Sequence, residues 1–324
     1  MNSRERFSET MRYGTPDRVP YFQEGIRRAV IKAWRKQGLP RGADLSRMFP
    51  TDGREEIDLD LEPRPKPRKW PTSLGDLPAF QRALDPYDKR RLPWRWTKRV
   101  RDWQNRDHVL MLRVHRGLFL SMGVMGWQRF VEVIRMLVHA PEVVHETMRI
   151  QGEFAAKLAE KVLQQVDVDA AIFSEPIGEN RGPLISPRMY EEFVLPHYKP
   201  LLDVLGRRGV ENIIFRTFAN ARLLIPCILK WGFNCLWACE VYLEDMDYGD
   251  LRREFGRDLR LIGGIDLDAL RQDKEAIRRE VEEKLPPLLA DGGYIPLADG
   301  RVRQDVPYEN YAYYRRLLEK VTQG

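Results

Sequence analysis

Apolar residues along this chain fall in short runs separated by longer stretches of helical period. The runs Val109–Val114, 168–173, 210–215, 234–239, 259–263 and 293–296 are apolar on both faces, as strands covered on both sides of a parallel sheet are. Val19-Pro-Tyr-Phe-Gln adds an earlier strand, giving seven. Helices are predicted over 127–140, 141–165, 187–206, 220–231, 246–256, 268–284 and 307–321, the second opening on Pro141 in its first turn. A further helix over 3–13 takes Ser3 as N-cap, has Phe7 and Met11 four residues apart, and stops at Gly14 and Pro16.

Strand alternating with helix predicts an α/β fold with a parallel sheet. A single (β/α)8 barrel, the TIM barrel, over residues 1–324 is favoured over an open doubly wound sheet, because no Gly-x-Gly-x-x-Gly follows any strand. The eighth strand falls within 115–165 or within 41–106. Residues 41–106 are rich in proline and charge without a clean period, and are expected to be an irregular insertion with short helices over the barrel mouth.

Composition narrows this only slightly. A hydrophobic content of 43% suits a sizeable core, and no apolar run is long enough to cross a membrane. The N-terminus lacks the apolar core of a secretory signal, and three cysteines crowded into 227–239 are expected to be reduced, buried thiols of a cytoplasmic protein. A net charge of +6 favours anionic partners without requiring nucleic acid. Between Lys89 and Arg106, eight basic residues and one acid are interleaved with Trp94, Trp96 and Trp103. Such a segment can bind single-stranded nucleic acid, but a solvated excursion with its tryptophans packed on the barrel is the favoured reading.

Candidate chemistry lies at the strand ends. In a parallel barrel the C-terminal ends converge on one face, where active sites are built. Glu24, Arg116, Glu175, Arg216, Glu240, Asp266 and Asp299 follow or end predicted strands, with Tyr190, Tyr242, Tyr294, Arg28 and Arg301 close by. Crowded carboxylates repel, raise at least one pKa and supply a proton donor near neutrality, and arginine grips a carboxylate or phosphate with two prongs. The opposing reading is that these charges brace the barrel mouth by pairing with one another. No histidine stands near Cys235 and Cys239, so metal is not indicated there.

Several stretches carry a resemblance: Ser3-Arg-Glu-Arg-Phe with Thr15-Pro-Asp-Arg-Val-Pro, Arg181-Gly-Pro-Leu-Ile-Ser-Pro-Arg-Met-Tyr190 running to Phe193-Val-Leu-Pro-His-Tyr, Leu261-Ile-Gly-Gly-Ile-Asp, Gly292-Gly-Tyr-Ile-Pro and Asp305-Val-Pro-Tyr-Glu-Asn-Tyr. On these the chain resembles the uroporphyrinogen decarboxylase superfamily, which includes the porphyrin-pathway decarboxylases and the corrinoid- and coenzyme-M-linked methyltransferases. The resemblance implies a (β/α)8 barrel, an enzyme and a homodimer. The sequence departs from the family in ways that bear on chemistry. The arginine-rich motif that holds tetrapyrrole carboxylates is replaced by Tyr21-Phe-Gln-Glu-Gly-Ile-Arg-Arg28. The His-x-Cys of the zinc methyltransferases is replaced by Arg216-Thr-Phe218, and their later cysteine by Ala298-Asp299. Arginine and phenylalanine are not zinc ligands.

The expectation is therefore a metal-independent enzyme needing no cofactor, acting on a small or medium anionic substrate by decarboxylase-type chemistry. Asp266, Asp299, Glu240 and Arg216 are its candidate catalytic residues. Glu24, Arg28, Glu175, Tyr190, Tyr242, Tyr294 and Arg301 are its candidate substrate contacts. Two alternatives stand beside it: methyl transfer with a corrinoid protein docked over the mouth, and a non-catalytic relative that binds a ligand or partner.

Overall fold

A computed structural model of the chain describes residues 1–239, 246–298 and 300–323. Among these, seven strands form one sheet: β1 (Arg54–Asp58), β2 (Val109–His115), β3 (Ala170–Ser174), β4 (Ile213–Phe218), β5 (Cys235–Cys239), β6 (Arg260–Ile265) and β7 (Tyr294–Ala298). They lie side by side in chain order and every pair is parallel. The sheet curls into a half-barrel, in the manner of a TIM barrel. No helix among the described residues is long and apolar enough to cross a membrane.

Alternation along the strands separates two cores. Ile57, Leu110, Leu112, Ala171, Phe173, Phe215, Leu236 and Leu261 point outward and pack under the helices. Val109, Met111, Ala170, Ile172, Ile214, Cys235, Trp237, Ile262, Ile295 and Leu297 point inward and share one enclosed cluster with Phe7, Met11 and Phe22. The helix Ser3–Met11 supplies Phe7 and Met11, both fully buried at the base of this inner core. Burying each contributes about 2 kcal/mol. The N-cap of that helix is Asn2, not Ser3: Asn2 accepts from the Glu5 amide and Glu5 accepts from the Asn2 amide. The Ser3 hydroxyl instead donates to Asp52.

Several expectations change. Val19–Gln23 is not a strand. Pro20 has no amide to donate, and the Tyr21 amide goes to the Asp52 carboxylate rather than to a ladder partner. The segment runs between the sheet's two edges, with Tyr21 O accepting from the Asp52 amide beside β1 and Ile26 bridging Val302 beyond β7. Residues 41–106, one of the two stretches expected to hold the remaining strand, contain β1, which pairs along its whole length with β2. The helix Trp96–Gln104 from this segment packs beside the outer face of the sheet rather than over the mouth. Trp103 is buried, donates to Glu55 and meets Trp96 edge-on, whereas Trp94 is exposed. The predicted helix 187–206 breaks at Val194 into Pro187–Phe193 and Leu195–Arg207, Pro196 having no amide to continue the first piece.

Candidate functional site

The inner face changes character toward the C-terminal strand ends. β2 presents Val109, Met111 and then Arg113; β3 presents Ala170, Ile172 and then Ser174; β4 presents Ile214, Arg216 and Phe218. Above the apolar layers opens a cleft of about 1000 Å³, bounded among the described residues by six arginines (Arg27, Arg54, Arg113, Arg216, Arg301, Arg303) and only two acids, Glu24 and Glu56. Cys239, Phe218, Leu120 and Pro176 complete much of its wall. Its volume is at the upper end for a small-molecule site.

An ion-pair chain crosses the floor. Glu24 pairs with Arg54 at 3.0 Å, Arg54 with Glu56 at 3.1 Å, and Glu56 with Arg216 at 2.8 Å. Arg113 pairs with Asp58 at 2.7 Å and stands 4.0 Å from Glu56. Arg54 and Arg216 both lie over the Trp237 ring, at 4.7 and 5.2 Å from its centroid, and Arg216 also donates to the Ser174 hydroxyl at 3.3 Å. At the rim, Arg303 meets Asp268 at 3.6 Å, while Arg27 and Arg301 are exposed and form no ion pair among the described residues.

Of the residues the sequence singled out, the structure places Glu24, Arg216 and Arg301 on this cleft. Glu175 and Tyr190 are not on it, and their assignment as substrate contacts is corrected. Glu175 immediately follows β3, where Ser174 faces inward, and its side chain turns to the outer core. There it is fully buried and accepts from the Leu118 amide at 2.8 Å, Tyr190 Oη at 3.0 Å and Tyr198 Oη at 2.6 Å. Burial pushes its carboxyl up to about 7 against the pull of those three donors. Tyr294 is likewise buried on the outer side, donating to the Gly263 carbonyl. Arg28 opens the helix Arg28–Arg35, exposed and off the cleft. Asp266 is partly buried and caps a turn by accepting from the Asp268 amide, while its own amide donates to Glu280. Burial, with repulsion from Glu280 and Asp268, raises its pKa, but it does not line the cleft. Arg116 pairs with Glu62 at 3.1 Å. Glu240, Tyr242 and Asp299 lie outside the described residues.

Arg54, Glu56 and Arg113 were missed. Arg113 was readable from the alternation Val109, Met111, Arg113, which puts it on the inner face of a strand already identified. Cys239 is the only thiol or imidazole among the described residues of the lining, so the arginine-rich wall does not fit a thiolate–imidazole zinc site. Cys227, Cys235 and Cys239 are all buried.

The model of the family described as uroporphyrinogen decarboxylase matches residues 119–320, well over half of the chain. The chain belongs to the uroporphyrinogen decarboxylase family. It is 26% identical over 200 residues to the uroporphyrinogen decarboxylase of Carboxydothermus hydrogenoformans, covering 61% of this chain and 53% of that one. It is 24% identical over 205 residues to the Syntrophotalea carbinolica enzyme, covering 61% and 55%. The chain thus spans about half the length of the curated relatives it matches. In fold it is similar to a methyltransferase from Methanosarcina mazei, with a TM-score of 0.63 over 99% of both chains at 13% identity. The stretch matched to the uroporphyrinogen decarboxylase family contains Arg216, Arg301 and Arg303. Glu24, Arg54, Glu56 and Arg113 lie ahead of it.

Proposed function

We propose that this protein is an enzyme of the uroporphyrinogen decarboxylase family, a (β/α)8 barrel with residues 19–26 in the eighth position, that decarboxylates an anionic, carboxylate-bearing substrate. The observation that carries this is the cleft at the strand ends, with six arginines against two acids among its described residues. Loss of CO2 leaves its electron pair on carbon, and a proton must then be delivered there. A guanidinium gripping the departing carboxylate would stabilise the reactant and slow that loss. Arg216, Arg301 and Arg27 are therefore assigned to carboxylates that stay on the substrate, and the reacting group lies toward Phe218, Leu120 and Pro176. Asp299 and Glu240, which directly follow β7 and β5, are the proposed proton donors; Asp266, whose pKa is raised, is the third candidate. Charge stabilisation by arginine needs no metal, and the enzyme is proposed to work without one, in the cytoplasm, as a homodimer.

The fold shared with a methyltransferase over 99% of both chains favours a second reading, corrinoid-linked methyl transfer with a partner protein seated on the mouth. CO2 release from polycarboxylates, uroporphyrinogen among them, assayed beside demethylation of methylcobalamin, separates the two; ligand binding with neither turnover points to a non-catalytic relative. In the active assay Arg216→Ala is expected to lower kcat/KM by about 10–100-fold, the loss of a charge-assisted contact. Unchanged turnover would remove Arg216 from the site.

A further inference from the structure

Resting on the reading of the cleft as an anion site, we propose that Glu56 is a resident carboxylate that occupies the subsite at Arg216 and decides which ligands can enter it. Glu56 stands among three guanidiniums: Arg216 at 2.8 Å, Arg54 at 3.1 Å and Arg113 at 4.0 Å. Their other partners differ. Arg54 also holds Glu24 and Arg113 also holds Asp58, whereas Arg216 has, besides Glu56, the Ser174 hydroxyl and the face of Trp237. Among the described residues Glu56 is the one carboxylate paired with Arg216.

This arrangement makes an exchange feasible. A ligand carboxylate that takes Arg216 leaves Glu56 still paired with Arg54 and near Arg113, so no charge is stranded in the mostly buried floor. A neutral ligand offers Arg216 nothing in return for Glu56. The occupied subsite therefore discriminates by competition, admitting carboxylates that bind Arg216 better than Glu56 does. The chemistry of the occupant is also that of the ligand: a planar carboxylate matched to the guanidinium fork.

The test is calorimetric titration of citrate at low ionic strength into the wild-type chain, Glu56→Gln, Glu56→Asp, Arg216→Ala and the double variant Arg216→Ala/Glu56→Gln. Glu56→Gln keeps the shape and removes the competing charge, and should bind citrate about tenfold more tightly than wild type. Glu56→Asp keeps the charge on a shorter arm and should fall between the two, providing a second reading if the glutamine variant does not fold. The double variant should lose the gain. If Arg216→Ala weakens citrate binding while neither Glu56 variant strengthens it, Glu56 is only scaffold and this inference is overturned. If Arg216→Ala binds citrate as wild type does, the cleft itself is misread.

Discussion

Two glutamates near strand ends of the same sheet have opposite environments. Glu56, on the inner face of β1, is surrounded by guanidiniums and open to the cleft. Glu175, one residue past β3, faces outward, meets no cation among the described residues, and is held by two tyrosine hydroxyls and an amide in the outer core. Ser174 and Glu175 are adjacent in sequence, yet Ser174 touches Arg216 while Glu175 is sealed behind the sheet. A carboxylate at a strand end is thus no mark of a site by itself. Which face it takes decides whether it meets ligand or braces the fold.

The hardest test of this contrast is to delete the outer carboxylate. Glu175→Ala strands three buried donors, Leu118 N, Tyr190 Oη and Tyr198 Oη, and leaves a cavity. We expect a loss of about 3 kcal/mol or more, and a drop of roughly 5 °C or more in the thermal midpoint, with citrate affinity of the folded fraction unchanged. A weaker citrate response at full stability would move Glu175 back into the site. The packing here is close: at Gly117, φ +80°, a Cβ would lie 2.4 Å from Glu175 Oε1.

The contrast also has a pH signature. The folded pKa of Glu175, about 7, lies above its ordinary value of 4.5, so the folded chain holds a proton that the unfolded chain has released. This contribution therefore lowers stability as pH rises from about 4.5 to about 7, by on the order of 3 kcal/mol in total. Buried His115 and half-buried His197, depressed to about 3 and 4, act in the opposite sense: they cost stability as pH falls below 6.5. Comparing Glu175→Gln with wild type cancels the histidines. Denaturant unfolding at pH 5 and at pH 7.5 should show the variant gaining on wild type at the higher pH, and a constant difference would reject the neutral, buried carboxyl.

The same contrast explains what was legible in the sequence. β2, β3, β4, β5, β6 and β7 were readable because strands covered on both faces are continuous apolar runs. β1 was not, because its inner face is Arg54, Glu56 and Asp58, and only Ile57, leading to Leu59 and Leu61, carried a period-two signal. Two of the polar residues that hid the strand, Arg54 and Glu56, line the cleft, so the segment hardest to recognise carries part of the site. Glu175, Tyr190 and Tyr294 were misplaced for a related reason: proximity to a strand end shows in sequence, but a one-residue change of face does not. Arg216 was found because it ends a clear apolar run. Its partner Glu56, 160 residues away, could be identified only after the sheet order was known.

The smallest effect expected is at Trp237, where the inner apolar core meets the charged floor. Its ring is almost fully buried and lies beneath both Arg54 and Arg216. Such contacts contribute about 0.5–1 kcal/mol each when partly exposed. Trp237→Leu keeps an apolar side chain in the layer but removes the surface that holds the two guanidiniums parallel to one another's reach of Glu56. Citrate affinity should fall only about two- to fivefold, well short of the loss from Arg216→Ala, because the charges remain and only their orientation is relaxed. A loss as large as that from Arg216→Ala would make the tryptophan face itself a contact for the ligand, and the floor of the cleft would then be aromatic as much as cationic in its recognition.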